Sequence, residues 1–268
     1  MEERSRSGDC RRPGPNVEIT NRTGRSIRTV DDWFRHAPPR KGVAHWKDCR
    51  SAKELAKAWL RPSMPRELWR LFKGCPKFSC FRPDTVIPEY AIRLDQFGGD
   101  RNADLLLVGN AAGGRSLATI EAKADEPFAD LVGRYHDQMM GRERSNVPER
   151  LKRLAAAVLG RGLDDKVRQL RYQLLHGTAA TLIEAKKKCA VQAAFVVCEF
   201  RSAHTDASRL ARNADDWAAF LSLLVPAAKD CDPCGQLFGP ICVPGNPDVP
   251  ADIPLYLGKV SIILPWAP

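Results

Sequence analysis

Apolar positions along the chain fall into two rhythms, one helical and one extended. From Ser51 onward, Leu55, Ala58 and Trp59 share a helical face, and Ser51 with Glu54 reads as a capping box. Residues 65–72 predict a second short helix, with Ser63 near its start and Leu68, Trp69 and Phe72 apolar. Gly74 and Pro76 break it. After Asp84, the residues Val86, Ile87, Tyr90, Ile92 and Leu94 predict extended chain, in which Pro88 demands an edge or a bulge. Residues 105–108 and 117–120 are apolar runs around Asn110-Ala111-Ala112-Gly113-Gly114, whose glycines can supply positive φ; together they predict a hairpin.

The helical rhythm returns over residues 148–160, with Pro148 in the first turn and Gly160 at the stop. It continues over 164–188, where Val167, Leu170, Leu174 and Leu182 line one face and Lys186, Lys187 and Lys188 favour the dipole. Residues 191–200 form a β-rich apolar run, as a central strand requires. Asn213 is placed to cap another helix, with Asp215 and Asp216 in its first turn and Trp217, Phe220, Leu221 and Leu224 inward. A Pro- and Cys-rich loop and a last strand over 255–264 complete an α/β chain.

Residues 1–30 mix Arg, Ser, Gly, Pro and Thr without periodicity and are expected to be a loose basic tail; residues 31–268 are expected to form one domain. A 44% apolar composition suffices for a substantial core. Arg4 and Arg6 without an apolar run, and no stretch of spanning length later, predict a cytoplasmic chain with no membrane partner. Nine cysteines then point to reduced thiols. Cys231 and Cys234 form a CxxC with Cys242 beyond, but zinc needs a fourth ligand, for which His204 or Cys75 would have to serve, so zinc is not expected. His36, His45, His136 and His204 show no triad spacing.

Charge changes the picture. Residues 1–82 hold 20 Lys/Arg against 9 Asp/Glu, leaving 22 against 23 in the remainder. Such asymmetry fits a nucleic-acid partner, because each neutralised phosphate releases counterions; a solvated basic tail reads equally well. Arg142, Arg144, Arg150 and Arg153 either follow a nucleic-acid backbone or belong to a solvated helical lid.

The candidate chemistry lies on the hairpin. Alternation puts Thr119, Glu121 and Lys123 on one face, and a turn centred between Ala112 and Gly113 pairs Asp104 with Glu121. Two carboxylates that close repel unless a cation lies between them. A hard ion, magnesium or manganese, suits Asp104, Glu121 and the backbone carbonyl of Ala122, and Lys123 could orient a water or stabilise charge in phosphodiester hydrolysis. The second Glu-Ala-Lys, Glu184-Ala185-Lys186, falls in the long helix and reads as ordinary surface charge. A structural ion pair between Glu121 and Lys123 is the plain alternative.

An acid heading one strand, Glu-x-Lys ending the next, then a long helix and a buried strand, resembles the PD-(D/E)XK nuclease superfamily over about residues 45–200. The runs Glu121-Ala122-Lys123-Ala124-Asp125-Glu126-Pro127-Phe128 and Leu170-Arg171-Tyr172-Gln173-Leu174-Leu175-His176 look like an uncharacterised bacterial family within it. The resemblance implies a restriction-endonuclease-like αβββαβ core, a helical insert at about 126–163 and an extension over 201–268. It also implies a magnesium- or manganese-dependent endo- or exonuclease acting on DNA or RNA, with DNA preferred, through Asp104, Glu121 and Lys123. Glu54 is the positional candidate for a further acid, beside its capping role. Of the polar stripe Gln169, Gln173 and His176, Gln173 is the residue placed beside the metal; a residue merely bordering the core is the alternative. Glu89 is an outsider, on an uncertain strand. The competing function is a catalytically silent nucleic-acid-binding or interaction module on the same core.

Overall fold

A computed structural model of the chain describes residues 17–228 and 233–265. Its centre is a six-stranded sheet of β1 (Arg82–Ile92), β2 (Arg101–Ala111), β3 (Gly114–Lys123), β4 (Gln192–Arg201), β5 (Leu237–Ile241) and β6 (Leu255–Ile263), in the order β1-β2-β3-β4-β6-β5. The first three strands form an antiparallel meander. β3, β4 and β6 run parallel, and β5 returns antiparallel at the far edge. Around the sheet lie α1 (Val30–His36), α2 (Ser51–Trp59), α3 (Arg66–Lys73), α4 (Val132–Met140), α5 (Val147–Leu159), α6 (Asp165–Arg168), α7 (Tyr172–Lys187) and α8 (Ala207–Leu224). The class is α/β, as the two rhythms predict. No helix of the described residues is long and apolar enough to cross a membrane.

Each central strand feeds two cores, which is why it reads as an unbroken apolar run. Leu106, Leu117, Phe195 and Val197 pack with Leu174 and Leu182 of α7 on one face. Leu105, Leu107, Ile120 and Val196 pack with Leu55, Leu68 and Phe72 of α2 and α3 on the other. The β2–β3 turn is the two residues Ala112 and Gly113, since Ala111 pairs with Gly114. A Cβ at Gly113 would come within 2.5 Å of Gln192 Oε1. Gln192 cannot easily yield, because its amide donates to Ser116 Oγ and to the carbonyl of Lys77.

Several expectations need correction. The expected helix over 164–188 is two helices, because the backbone at its middle pairs elsewhere: Val132 N–H donates to Leu170 O and Tyr172 N–H to Asp130 O. Asn213 does not cap α8; Asp206 does, accepting from Ser208 and Arg209 N–H, while Asn213 is buried mid-helix and donates to Glu126 O. Ser51 lies inside α2, so no capping box forms: Glu54 accepts Cys49 N–H at 3.0 Å while Ser51 Oγ donates to Glu126. Glu184 is buried and accepts the Tyr90 hydroxyl at 2.8 Å, so it is no ordinary surface charge. Within the expected tail, Ile19 and Ile27 are buried against the α2–α3 core; residues 1–16 lie outside the described residues. Cys80 is disulfide-bonded, against the expectation of reduced thiols. Cys231 lies outside the described residues, and His204 is exposed while Cys75 is buried in the α2–α3 core.

Candidate functional site

The hairpin carries its acids to one end of the sheet. Regular pairing of β2 with β3 ends at Leu105 with Ile120, so Asp104 and Glu121 face each other at the next step. There the Asp104 carboxylate accepts Ala122 N–H at 2.7 Å. The Asp104 and Glu121 carboxyls are also within hydrogen-bonding reach of each other. Lys123 Nζ donates to Glu121 Oε1 at 2.7 Å, and Gln173 Nε2 of α7 donates to the same oxygen at 2.5 Å. Glu121 and Lys123 are only 3% and 7% exposed, whereas Asp104 and Gln173 are partly open, so the site has a buried floor and an accessible mouth.

Electrostatics follow from that packing. Burial, then the Asp104 charge, pushes Glu121 up to about 8. Burial also raises Asp104, although Lys123 and the Ala122 N–H pull it down. For Lys123 burial works against the charge, but Glu121 and Asp104 outweigh it and its pKa rises, so the amine stays protonated. Acids held this close must share a proton or a cation. The set suits a hard ion: two carboxylates and the carbonyl of Ala122 are oxygen donors, and magnesium commonly takes one or two carboxylates and keeps its remaining waters. No three His, Cys, Asp or Glu side chains of the described residues are drawn together as a metal-holding group. A cation here would thus lean on Asp104, Glu121, Ala122 and solvent.

Two further acids adjoin the site. Glu89 falls between the pairs Pro88 with Leu105 and Tyr90 with Ala103, on β1 opposite Asp104 of β2. Its φ of 47° is left-handed, a conformation that costs about 1 kcal/mol or more in a non-glycine residue. Burial, then Asp104, raises it to about 8, with Glu121 adding to the effect. Sequence reasoning left Glu89 outside; the available signal was an acid after proline in an otherwise apolar edge strand. Glu126 accepts Ala124 N–H at 2.6 Å and so turns back toward the site, where its charge acts on Asp104 and Lys123.

The remaining candidates divide. Gln173 reaches Glu121 as expected. Gln169 ends α6, exposed and away from the α7 face, so the three-residue stripe is broken. His176 is buried edge-to-face on Tyr172 at 4.7 Å between centroids and lines a cavity of about 10 Å³ with Glu121, Thr119 and Arg101. Its Nδ1 has no hydrogen-bond partner among the described residues, and burial, then Arg101 and Lys123, holds it down near 3 and therefore neutral. Glu54 is engaged by Cys49 N–H and by Lys57 Nζ at 2.7 Å. Arg150, expected either along a nucleic-acid backbone or on a solvated lid, is buried and bonded to Asp95 at 2.7 and 2.9 Å. Arg142 and Arg144 are exposed, and Arg153 pairs with Asp248 at 3.1 Å.

A search of curated proteins and a search of solved structures each returned no significant match. A family profile described as "Domain of unknown function (DUF6946)" matches residues 26–263, a span that takes in every strand of the sheet and the whole acid cluster. The chain belongs to that family.

Proposed function

We propose that the chain is a metal-dependent nuclease on a restriction-endonuclease-like core. The observation that carries this reading is the juxtaposition of Asp104 and Glu121, two carboxyls in mutual reach with the protonated Lys123 and the amide of Gln173 fixing the second. Support for the core comes from the strand order: helices α2 and α3, the meander β1–β3, the crossover helix α7 and the parallel β4 follow the αβββαβ sequence.

Asp104, Glu121 and the carbonyl of Ala122 would hold magnesium or manganese, which supplies acidification of water and neutralisation of charge at the phosphoryl group. Lys123, protonated and buried, holds Glu121 in place and offers positive charge where the scissile phosphate becomes more negative. Gln173 holds the same carboxylate from the α7 side, which limits its rotation.

One observation favours the second reading, a silent binding module: Lys123 and Glu121 are paired with each other. Cleavage of plasmid and single-stranded DNA and RNA by the purified chain, in magnesium, manganese or EDTA, decides between them. Metal-dependent cutting lost in Glu121→Ala and Lys123→Ala is the expected result. Absence of cutting, with wild type and variants binding DNA alike, would leave the binding module.

A further inference from the structure

On the opposite face of the sheet from α7, α3 turns Leu68, Leu71 and Phe72 inward and leaves a different set outward. Arg66, Arg70 and Lys73 are exposed at i, i+4 and i+7, with the half-buried Trp69 between them. Lys73 Nζ lies 4.7 Å from the centre of the Trp69 ring, so one cation is already held by the indole. Arg61, before the helix, and Lys77, after it, are exposed as well. None of Arg61, Arg66, Arg70, Lys73 or Lys77 makes an ion pair among the described residues. Other cations, Arg50, Lys57, Arg115, Arg168 and Arg171 among them, meet a carboxylate, while Arg142 and Arg144 are exposed as the stripe is.

The stripe lies on the other side of the sheet from the acid cluster, which Gln173 of α7 holds. Ala122 pairs with Cys198 across β3 and β4. Cys198 shares the apolar cluster of Leu68, Leu71 and Phe72, so α3 packs against the far side of the strands that carry the site. Leu71 would meet a Cβ at Gly258 of β6 at 3.2 Å, so α3 packs on β6 and its cations face solvent. From residue 66 to 73 the helix rises about 10 Å, enough for its cations to meet successive phosphates of one strand.

We propose that the Arg66–Trp69–Arg70–Lys73 face of α3 is a docking surface for the phosphodiester backbone of a nucleic acid. It deepens the nuclease reading and rests on it for its biological sense, although binding can be measured without cleavage. Charge complementarity selects the partner: a row of exposed cations along one helix face suits a regular polyanion, and the cations add affinity through counterion release.

The test is fluorescence anisotropy of the full chain with a labelled duplex of about 20 bp in EDTA, over roughly 50 to 200 mM salt. The triple variant Arg66→Ala/Arg70→Ala/Lys73→Ala is expected to bind about tenfold or more weakly, and the slope of log Kd against log salt to fall by about 2 to 3. An unchanged Kd and slope in a triple variant that melts like wild type overturns the surface. So does binding of phosphatidylserine vesicles without binding of DNA. If the wild type cuts no substrate yet the triple variant loses DNA, the surface stands and the nuclease reading falls; if the wild type cuts and the variant binds DNA as well, only the surface falls.

Discussion

The Asp104 carboxylate accepts the backbone N–H of Ala122 at 2.7 Å. The bond crosses from β2 to β3 one step past their last regular pair, and it ties an acid to the strand that carries Glu121. Held by the backbone, Asp104 cannot swing away when Glu121 ionises. The repulsion must be met by Lys123, by a proton or by a cation, and the expected behaviour of the protein follows from that constraint.

Stability should fall as pH rises from about 6.5 to 8 in EDTA. Glu121 and Glu89 stand near 8 in the folded chain, chiefly through burial and then through Asp104, against about 4.3 for an ordinary Glu. Over that interval the folded state holds more protons than the unfolded one, so raising pH favours unfolding. His176, held near 3, acts in the opposite sense only below its ordinary value of about 6.5, which leaves the upper window to the acids. Thermal melts should show the decline, a shallower one in Glu121→Gln or Glu89→Gln, and its reversal by magnesium or manganese. A flat profile in EDTA would show that the acids are not crowded.

Lys123→Ala should destabilise the chain by about 3 to 5 kcal/mol, since it leaves buried carboxyls without their cation. Glu121→Ala/Lys123→Ala should lose less than the two single changes together, because the second removal relieves the first. Urea titrations of the four proteins measure the difference. Additivity within about 0.5 kcal/mol would mean that the pair is not coupled.

Gln173→Ala removes one of two donors to Glu121 Oε1 and leaves Lys123 in place. The stability cost should be near 1 kcal/mol, while metal-dependent cleavage should fall about tenfold in kcat with KM little changed, as expected for a loss felt in the transition state. Steady-state kinetics decide it. Equal rates in the two proteins would reduce Gln173 to a residue bordering the core.

His176→Leu should be tolerated within about 1 kcal/mol, or stabilise, because a buried nitrogen without a partner among the described residues is exchanged for apolar bulk. Cleavage should persist. A loss of about a hundredfold or more would instead assign His176 an acid–base role, and a denaturation curve run beside the assay separates that from unfolding.

The paired acids were legible before any coordinates because strand alternation has a period of two and a two-residue turn sets the register. Ala112 and Gly113 occupy that turn, and Asp104 meets Glu121 where parity requires. Gln173 was legible as a polar residue on the sheet-facing side of α7. Glu89 was not, since its left-handed φ breaks the alternation of β1 and its partner lies on another strand. The break between α6 and α7 was hidden for a related reason: Leu170 and Tyr172 bond to Val132 and Asp130, a segment far away in the chain. The true cap of α8, Asp206, was visible as a residue type, but Asn213 offered the same signal a little later.

Amino-acid order by itself therefore determined the α/β class, the hairpin with Asp104, Glu121 and Lys123 on one face, and the concentration of positive charge in the first third. These rest on local periodicity, turn chemistry and composition, which act between near neighbours. Tertiary structure alone decided that Glu89 and Glu126 join the acids, that Lys123 spends its charge on Glu121, that Arg150 is buried, and that Arg66, Arg70 and Lys73 are exposed. Those outcomes depend on which distant segments the sheet brings side by side and on how much water their contact expels.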